Sequence, residues 1–235
     1  MMNHLSHLQE IPRLMAKNDL RYSSKNERFH PERHTLSRKI KLNKGAILYL
    51  QGESAQYFYH IQSGSFKTEM AYANGRSQIL GFYTTGDYLG LDGVGNAKYH
   101  SEAIAIEASE LSVLKINLFQ NDAPDESDRL THLHHIINRK MTQDQQHIVC
   151  LGSLNAEQKI ARFFLHISEN LFGKGLNQFE FDLSMNRQDI GSYLGMQIET
   201  VSRMLSKFTQ EELVLIKQKH AHILEIGKLY KIVGE

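Results

Sequence analysis

The sequence predicts an α+β chain: an N-terminal β-roll of jelly-roll type, then one long amphipathic helix, then a C-terminal winged helix-turn-helix. Three observations predict it. Short strand-like runs broken by glycines fill the region from Leu36 to Ile116. An apolar stripe near heptad spacing follows, from about Asp125 to Leu151. The stretch from Asn186 to Phe208, NRQDIGSYLGMQIETVSRMLSKF, then reads as two short helices across a glycine turn. The expected units are an N-terminal segment (1–35), a roll (36–124), a dimerisation helix (125–152) and a winged domain (153–235), with the helix-turn-helix over 187–208.

The first 35 or so residues are polar and rich in His, Lys and Asn. Leu5, Leu8, Ile11 and Leu14 keep helical spacing, so a short amphipathic helix is expected there. In the roll, the runs AILYLQG, YFYHIQSG, SFKTEMAY, SQILGFYTTG, EAIAIEAS and LSVLKI alternate with turns at Gly45, Gly52, Gly64, Gly75, Gly86 and Gly90. Asn74-Gly75 between two runs signals a hairpin.

In the long helix, Leu130, Leu133, Ile137, Met141, Ile148 and Leu151 form the stripe, which suits pairing with a second copy. Counting in sevens from Leu130 gives Ile137, Asp144 and Leu151, so Asp144 interrupts the seam. Two such carboxylates facing each other would weaken the dimer, unless Asp144 faces solvent or pairs with Arg139 or Lys140 of the partner. Beyond it, Ile160, Phe163, Phe164 and Ile167 mark another amphipathic helix, ended by Gly173 and Gly175. LVLIKQKHAHILEI reads as a wing of two strands around a Lys219–Ala221 turn, and KLYKIV as a closing helix.

The helix-turn-helix carries the functional reading. Asn186 and Asp189 have capping-box spacing. Ile190 and Leu194 share a face, Gly191 is small where two helices cross, and Gly195 sits where the chain must turn. Met196, Val201 and Met204 supply the inner face of the second helix. Glu199, Thr200, Ser202, Arg203 and Lys207 are left outward, a face with hydrogen-bonding groups and cations, as a helix reading base edges in the major groove needs.

Composition sets limits on this. The chain has 235 residues and a formal charge of +1, so DNA affinity must come from local patterning rather than bulk charge. One cysteine, Cys150, excludes a disulfide framework and an iron–sulfur cluster held by four thiolates. It reads as a small buried thiol beside the dimer seam. No apolar run is long enough to span a membrane and the N-terminus is too polar for a secretion signal, so a cytoplasmic location is expected. No enzyme is expected: a cupin-type metal site needs clustered ligands on adjacent strands, and His60 is the one histidine between Leu36 and Tyr99. His4, His7, His30 and His34 lie in the N-terminal segment, where His30 and His34 at i, i+4 could bind a metal or haem, and the trio His132, His134, His135 could bind metal, but polar histidines of this kind are more often solvated.

The motifs GESAQYFYHIQSGSFK, GDYLGLDGVG, NAEQKIARFFLHIS and NRQDIGSYLGMQIETVSRMLSKF span most of residues 36–226. In this order they resemble the CRP/FNR superfamily of bacterial transcription regulators. GFYTTGDYLGLDGVG and ETVSR resemble its fumarate-nitrate branch. The resemblance implies a homodimer that binds double-stranded DNA at an inverted repeat similar to TTGAT-N4-ATCAA and acts mainly as an activator. It places base contacts at Glu199, Ser202 and Arg203, with Ile198 beside a thymine methyl. Arg187, Gln188, Thr200, Lys207, Lys217 and Lys219 are then expected at phosphates. It implies RNA polymerase contact through roll loops, for which the hairpin tip Asn74, Gly75 and Arg76 is the candidate.

Three departures bear on the signal sensed. Cyclic-AMP-binding members carry Gly-Glu and then Arg-Ser or Arg-Thr to hold the phosphate; here Gly90-Leu91-Asp92 and His100-Ser101 stand there, which argues against cAMP. Oxygen-sensing members hold an iron–sulfur cluster with a cysteine-rich N-terminal segment plus one cysteine of the roll; here no cysteine precedes Cys150, and Ser112 stands near the roll position. The N-terminal histidines replace the cysteine-rich segment, leaving haem or another small effector open. The competing reading is a small-ligand- or haem-binding module whose winged helix contacts protein rather than DNA.

Overall fold

The computed structural model describes residues 38–116 and 126–234. The expected N-terminal helix and His4, His7, His30 and His34 lie outside these residues.

The roll is two four-stranded antiparallel sheets. One has the order β1 (Arg38–Leu42), β8 (Ser109–Lys115), β3 (Tyr57–Ser63), β6 (Tyr88–Leu89). The other runs β2 (Ile47–Tyr49), β7 (Glu102–Ala105), β4 (Ser65–Ala71), β5 (Ser77–Thr84). Alternating side chains point between them, and Tyr59, Ile61, Leu89 and Leu111 of the first sheet meet Tyr49, Phe66, Ala103 and Ala105 of the second in one core. The chain crosses between sheets at Gly64 (φ 90°), where a Cβ would stand 2.8 Å from the Ala108 carbonyl oxygen. The Asn74-Gly75 signal does close the β4–β5 hairpin, with a five-residue loop, Tyr72–Arg76, rather than a two-residue turn.

Strands β1 and β6 carry no run legible in the sequence. RKIKL exposes its lysines and half-buries only Ile40 and Leu42, because it is a sheet edge with one covered face. β6 is two residues long.

Helix α1 (Glu126–Ser153) follows, then α2 (Ala156–Gly173). Asn155 caps α2 in a reciprocal capping box with Gln158. β9 (Glu180–Asp182) comes next and was not anticipated. It adds a third strand to the wing of β10 (Val214–Lys217) and β11 (His220–Ile223). The wing turn is Gln218-Lys219, earlier than expected, because Gln218 takes the positive φ (56°) that no glycine announces. Helices α3 (Arg187–Leu194), α4 (Ile198–Gln210) and α5 (Ile226–Val233) complete the domain.

Ile160, Phe164, Ile190, Leu194, Val201, Phe208 and Leu229 are nearly sealed from solvent in the second core. The deep positions of α4 are Val201, Leu205 and Phe208; Met204 is only partly covered, and Met196, expected on this helix, lies before it in the turn and is also partly covered. Ile79 of β5 joins this same core, and Phe82 lies against Phe163 and Tyr193. The winged domain is therefore seated directly on the β5 face of the roll.

Candidate nucleic-acid interface

The reading helix is aimed by its neighbours. At the start of α3 the Asn186 side chain accepts from the Asp189 N–H at 2.9 Å, and Asp189 Oδ2 accepts from the Asn186 N–H at 3.2 Å. Such a cap contributes about 1 kcal/mol. Gly195 ends α3 in the left-handed conformation (φ 61°, ψ 43°). The Met196 N–H bonds back to the Gly191 carbonyl at 2.9 Å, and a Cβ on Gly191 would stand 2.7 Å from the Met196 carbonyl oxygen. The glycine is thus needed by the turn itself more than by a helix crossing. Val201, Leu205 and Phe208 then anchor the inner side of α4.

That anchoring decides what faces out. Ile198 (42% exposed), Glu199 and Arg203 are exposed, with Thr200 and Ser202 half-buried between them. Arg187 and Gln188 are exposed at the start of α3, and Arg187 Nη1 donates to Ser202 Oγ at 3.2 Å. A residue expected at a phosphate therefore touches one expected at a base. Lys217 and Lys219 are exposed at the wing turn.

Lys207 departs from expectation. Its ammonium is 2.7 Å from Glu157 Oε2 of α2 and 3.8 Å from Glu211. The hydrogen bond to Glu157 raises its pKa, so the cation is kept but its charge is answered within the chain. It ties α4 to α2 rather than standing free for phosphate.

The long helix presents Met141 (55% exposed), Asp144, Ile148 (67%) and Leu151 (37%) on the outside. Ile137 and Leu130 are half-buried, whereas Leu133 is buried within the chain. Leu133 therefore belongs to the chain's own interior rather than to an open seam. Asp144 pairs with Lys140 one turn earlier on the same helix, at 2.6 Å. Cys150 is a free, buried thiol whose pKa burial raises.

In the roll, Asn74, Gly75 and Arg76 are exposed at the hairpin tip. Ser112 is fully buried and accepts from Gln62 Nε2 at 3.1 Å. His60 stacks on Tyr88, and His132 reaches the Tyr88 hydroxyl at 3.3 Å, while His134 and His135 are exposed. Among the described residues no three His, Cys, Asp or Glu side chains converge as a metal site, and no helix is long and apolar enough to cross a membrane.

Comparison with known proteins bears on both halves. Residues 158–232 match the Crp-like helix-turn-helix domain, and residues 39–121 the cyclic nucleotide-binding domain. The fumarate and nitrate reduction regulatory protein of Vibrio cholerae is 32% identical over 203 residues, covering 85% of this chain and 80% of that protein. The transcriptional regulatory protein btr of Bordetella pertussis is 30% identical over 197 residues, covering 84% and 81%. FixK2 from Bradyrhizobium japonicum shares the fold, with a TM-score of 0.77 at 24% identity over 84% of this chain and 98% of that one.

Proposed function

The chain belongs to the CRP/FNR superfamily of transcription regulators, and on that premise we propose that it is a homodimeric, sequence-specific DNA-binding regulator, chiefly an activator, controlled through its β-roll. The observation that carries this reading is the outward face of α4. Glu199 and Arg203 stand exposed one turn apart on a helix fixed by a capped partner and a glycine turn. Arg203 donates a bidentate pair to guanine O6 and N7, and Glu199 accepts from cytosine N4. Ser202 lies against the same base edges, steadied by Arg187. Ile198 touches a thymine methyl. Gln188, Thr200, Lys217 and Lys219 meet the flanking phosphates.

The exposed stripe Met141, Ile148 and Leu151 supports pairing through α1, which a two-fold DNA reader requires. The exposed tip at Asn74–Arg76 is free to reach RNA polymerase beside the bound site.

A gel shift tests the reading. The full chain is expected to retain a duplex carrying TTGAT-N4-ATCAA, with two chains per duplex, and to release it when the half-sites are scrambled at constant composition. Equal retention of both duplexes would sink it and leave a winged helix that meets protein instead.

A further inference from the structure

The roll matches cyclic nucleotide-binding domains, yet the slot that would take the phosphate is already filled. Asp92 stands in the 3-10 turn Leu91–Gly93, entered through Gly90 in the left-handed conformation (φ 79°). Its Oδ2 accepts from the His100 N–H at 2.9 Å, the Ser101 N–H at 3.1 Å and the Ser101 hydroxyl at 3.0 Å. Two successive backbone N–H groups and a hydroxyl aimed at one point are the donors an oxyanion needs. Here the anion is the chain's own. The turn that carries it is tightly held: a Cβ on Gly93 would stand 2.5 Å from that of Ala55, and Tyr99 stacks on Tyr49 with ring centroids 4.0 Å apart. A cyclic nucleotide does not fit this arrangement. Its phosphate would meet a carboxylate with every slot donor already engaged.

Beside the slot lies a cavity of about 520 Å³ between the roll and α1, within the usual range for small ligands. Ile79, Leu80 and Tyr83 form one wall; Ile137, Met141 and Ile148 form the other. The lysine that lines it, Lys140, is bound to Asp144 at 2.6 Å. At the slot end the Tyr49 hydroxyl is buried beside Ser101, Gly90 and Asp92.

We propose that Asp92 is a built-in anion that closes the oxyanion slot, so that the adjoining cavity rejects anions and takes an uncharged, largely apolar small molecule. This deepens the reading of the roll as the controlling domain and rests on it for its regulatory meaning.

The test uses the full chain and three probes: the uncharged two-ring fluorophore N-phenyl-1-naphthylamine, cAMP, and inorganic phosphate. The parent is expected to bind the fluorophore at one per chain and to give no calorimetric signal with cAMP at millimolar concentration. Leu80→Trp, which fills the cavity, is expected to weaken the fluorophore at least tenfold. Asp92→Ala is expected to bind phosphate at least tenfold more tightly than the parent, read as a phosphate-dependent rise in melting temperature. Asp92→Asn keeps an acceptor in the slot; if Asp92→Ala does not fold while Asp92→Asn does, the need for an acceptor at that point is shown directly. Binding of cAMP by the parent overturns the proposal. So does a folded Asp92→Ala with the parent's melting temperature and no response to phosphate. Fluorophore binding that leaves the gel shift unchanged removes the controlling role of the roll but not the site.

Discussion

Lys67 Nζ of the roll lies 3.0 Å from Asp189 Oδ1 of the helix-turn-helix, and the same carboxylate caps α3 through its other oxygen. One side chain thus serves both the local cap and the contact between domains. Burial opposes the charge on Lys67, but hydrogen bonds to Asp189 and Glu69 outweigh it and raise the pKa. Nearby, Ser192 Oγ accepts from the Ile79 N–H at 3.1 Å, and the Gln78 amide donates to the Ser192 carbonyl. The first helix of the reading unit is therefore seated on the β4–β5 sheet by named polar contacts. Lys67→Met is expected to cost about 1–3 kcal/mol, since it strands part-buried carboxylates. Hydrogen exchange across 186–194 should quicken in the variant while the β3–β8 pairing stays protected. Unchanged exchange in α3 would show the contact to be incidental.

Arg203→Ala should cost about 1–3 kcal/mol of specific DNA affinity and relax the choice at one G·C pair. Lys207→Ala should behave differently from a phosphate contact. With Glu157 and Glu211 already answering its charge, its loss should lower melting temperature while leaving the salt slope of DNA binding nearly the same. A slope reduced by about one would return Lys207 to the DNA backbone.

Asp144 sits exposed among Met141, Ile148 and Leu151 and carries a partner, Lys140, on its own helix. In the proposed dimer that pairing softens the repulsion between two copies but leaves a charge in an apolar seam. Asp144→Ala is expected to tighten the dimer about two- to fivefold, the scale of a part-exposed charge. Ile148→Glu should dissociate it. Sedimentation equilibrium reads both; no tightening in Asp144→Ala would show that the seam tolerates the carboxylate.

His166 of α2 has its pKa lowered to about 4, first by burial and then by the charge of Arg162. The unfolded chain, with histidine near 6.5, binds the proton more readily than the folded one between those values. Stability should therefore fall as pH drops from about 6.5 to about 4, by at most about 3 kcal/mol for this group. His147, stacked on Tyr193 at 4.0 Å and lowered by burial, acts in the same direction. His166→Gln should flatten part of the acid limb in urea titrations between pH 7 and 4.

Two glycines in helices should respond oppositely to alanine. Gly191→Ala places a Cβ against the Met196 carbonyl and should cost about 1–3 kcal/mol. Gly152 has open space around its Cβ position, so Gly152→Ala should stabilise the chain by about 0.5–1 kcal/mol. Equal urea midpoints for the two variants would refute the turn geometry assigned to Gly191.

Local patterns were legible in the linear chain because their causes are local. A cap three residues from its partner, a glycine at a left-handed turn and an apolar step of three or four fixed α3, Gly195 and α4 without reference to anything distant. Single missing residues were as informative: one cysteine rules out a four-thiolate cluster by count alone. β1, β6 and β9 escaped because each is short and half-covered, so its pairing partner rather than its own pattern makes it a strand. Lys207 escaped because the charge it meets, Glu157, lies 50 residues away. The seating of α3 on β5, the slot closed by Asp92 and the burial of Leu133 are likewise set by contacts between segments far apart in sequence. Short-range periodicity records which faces exist; only the packed chain decides which of those faces are answered from within and which are left for DNA.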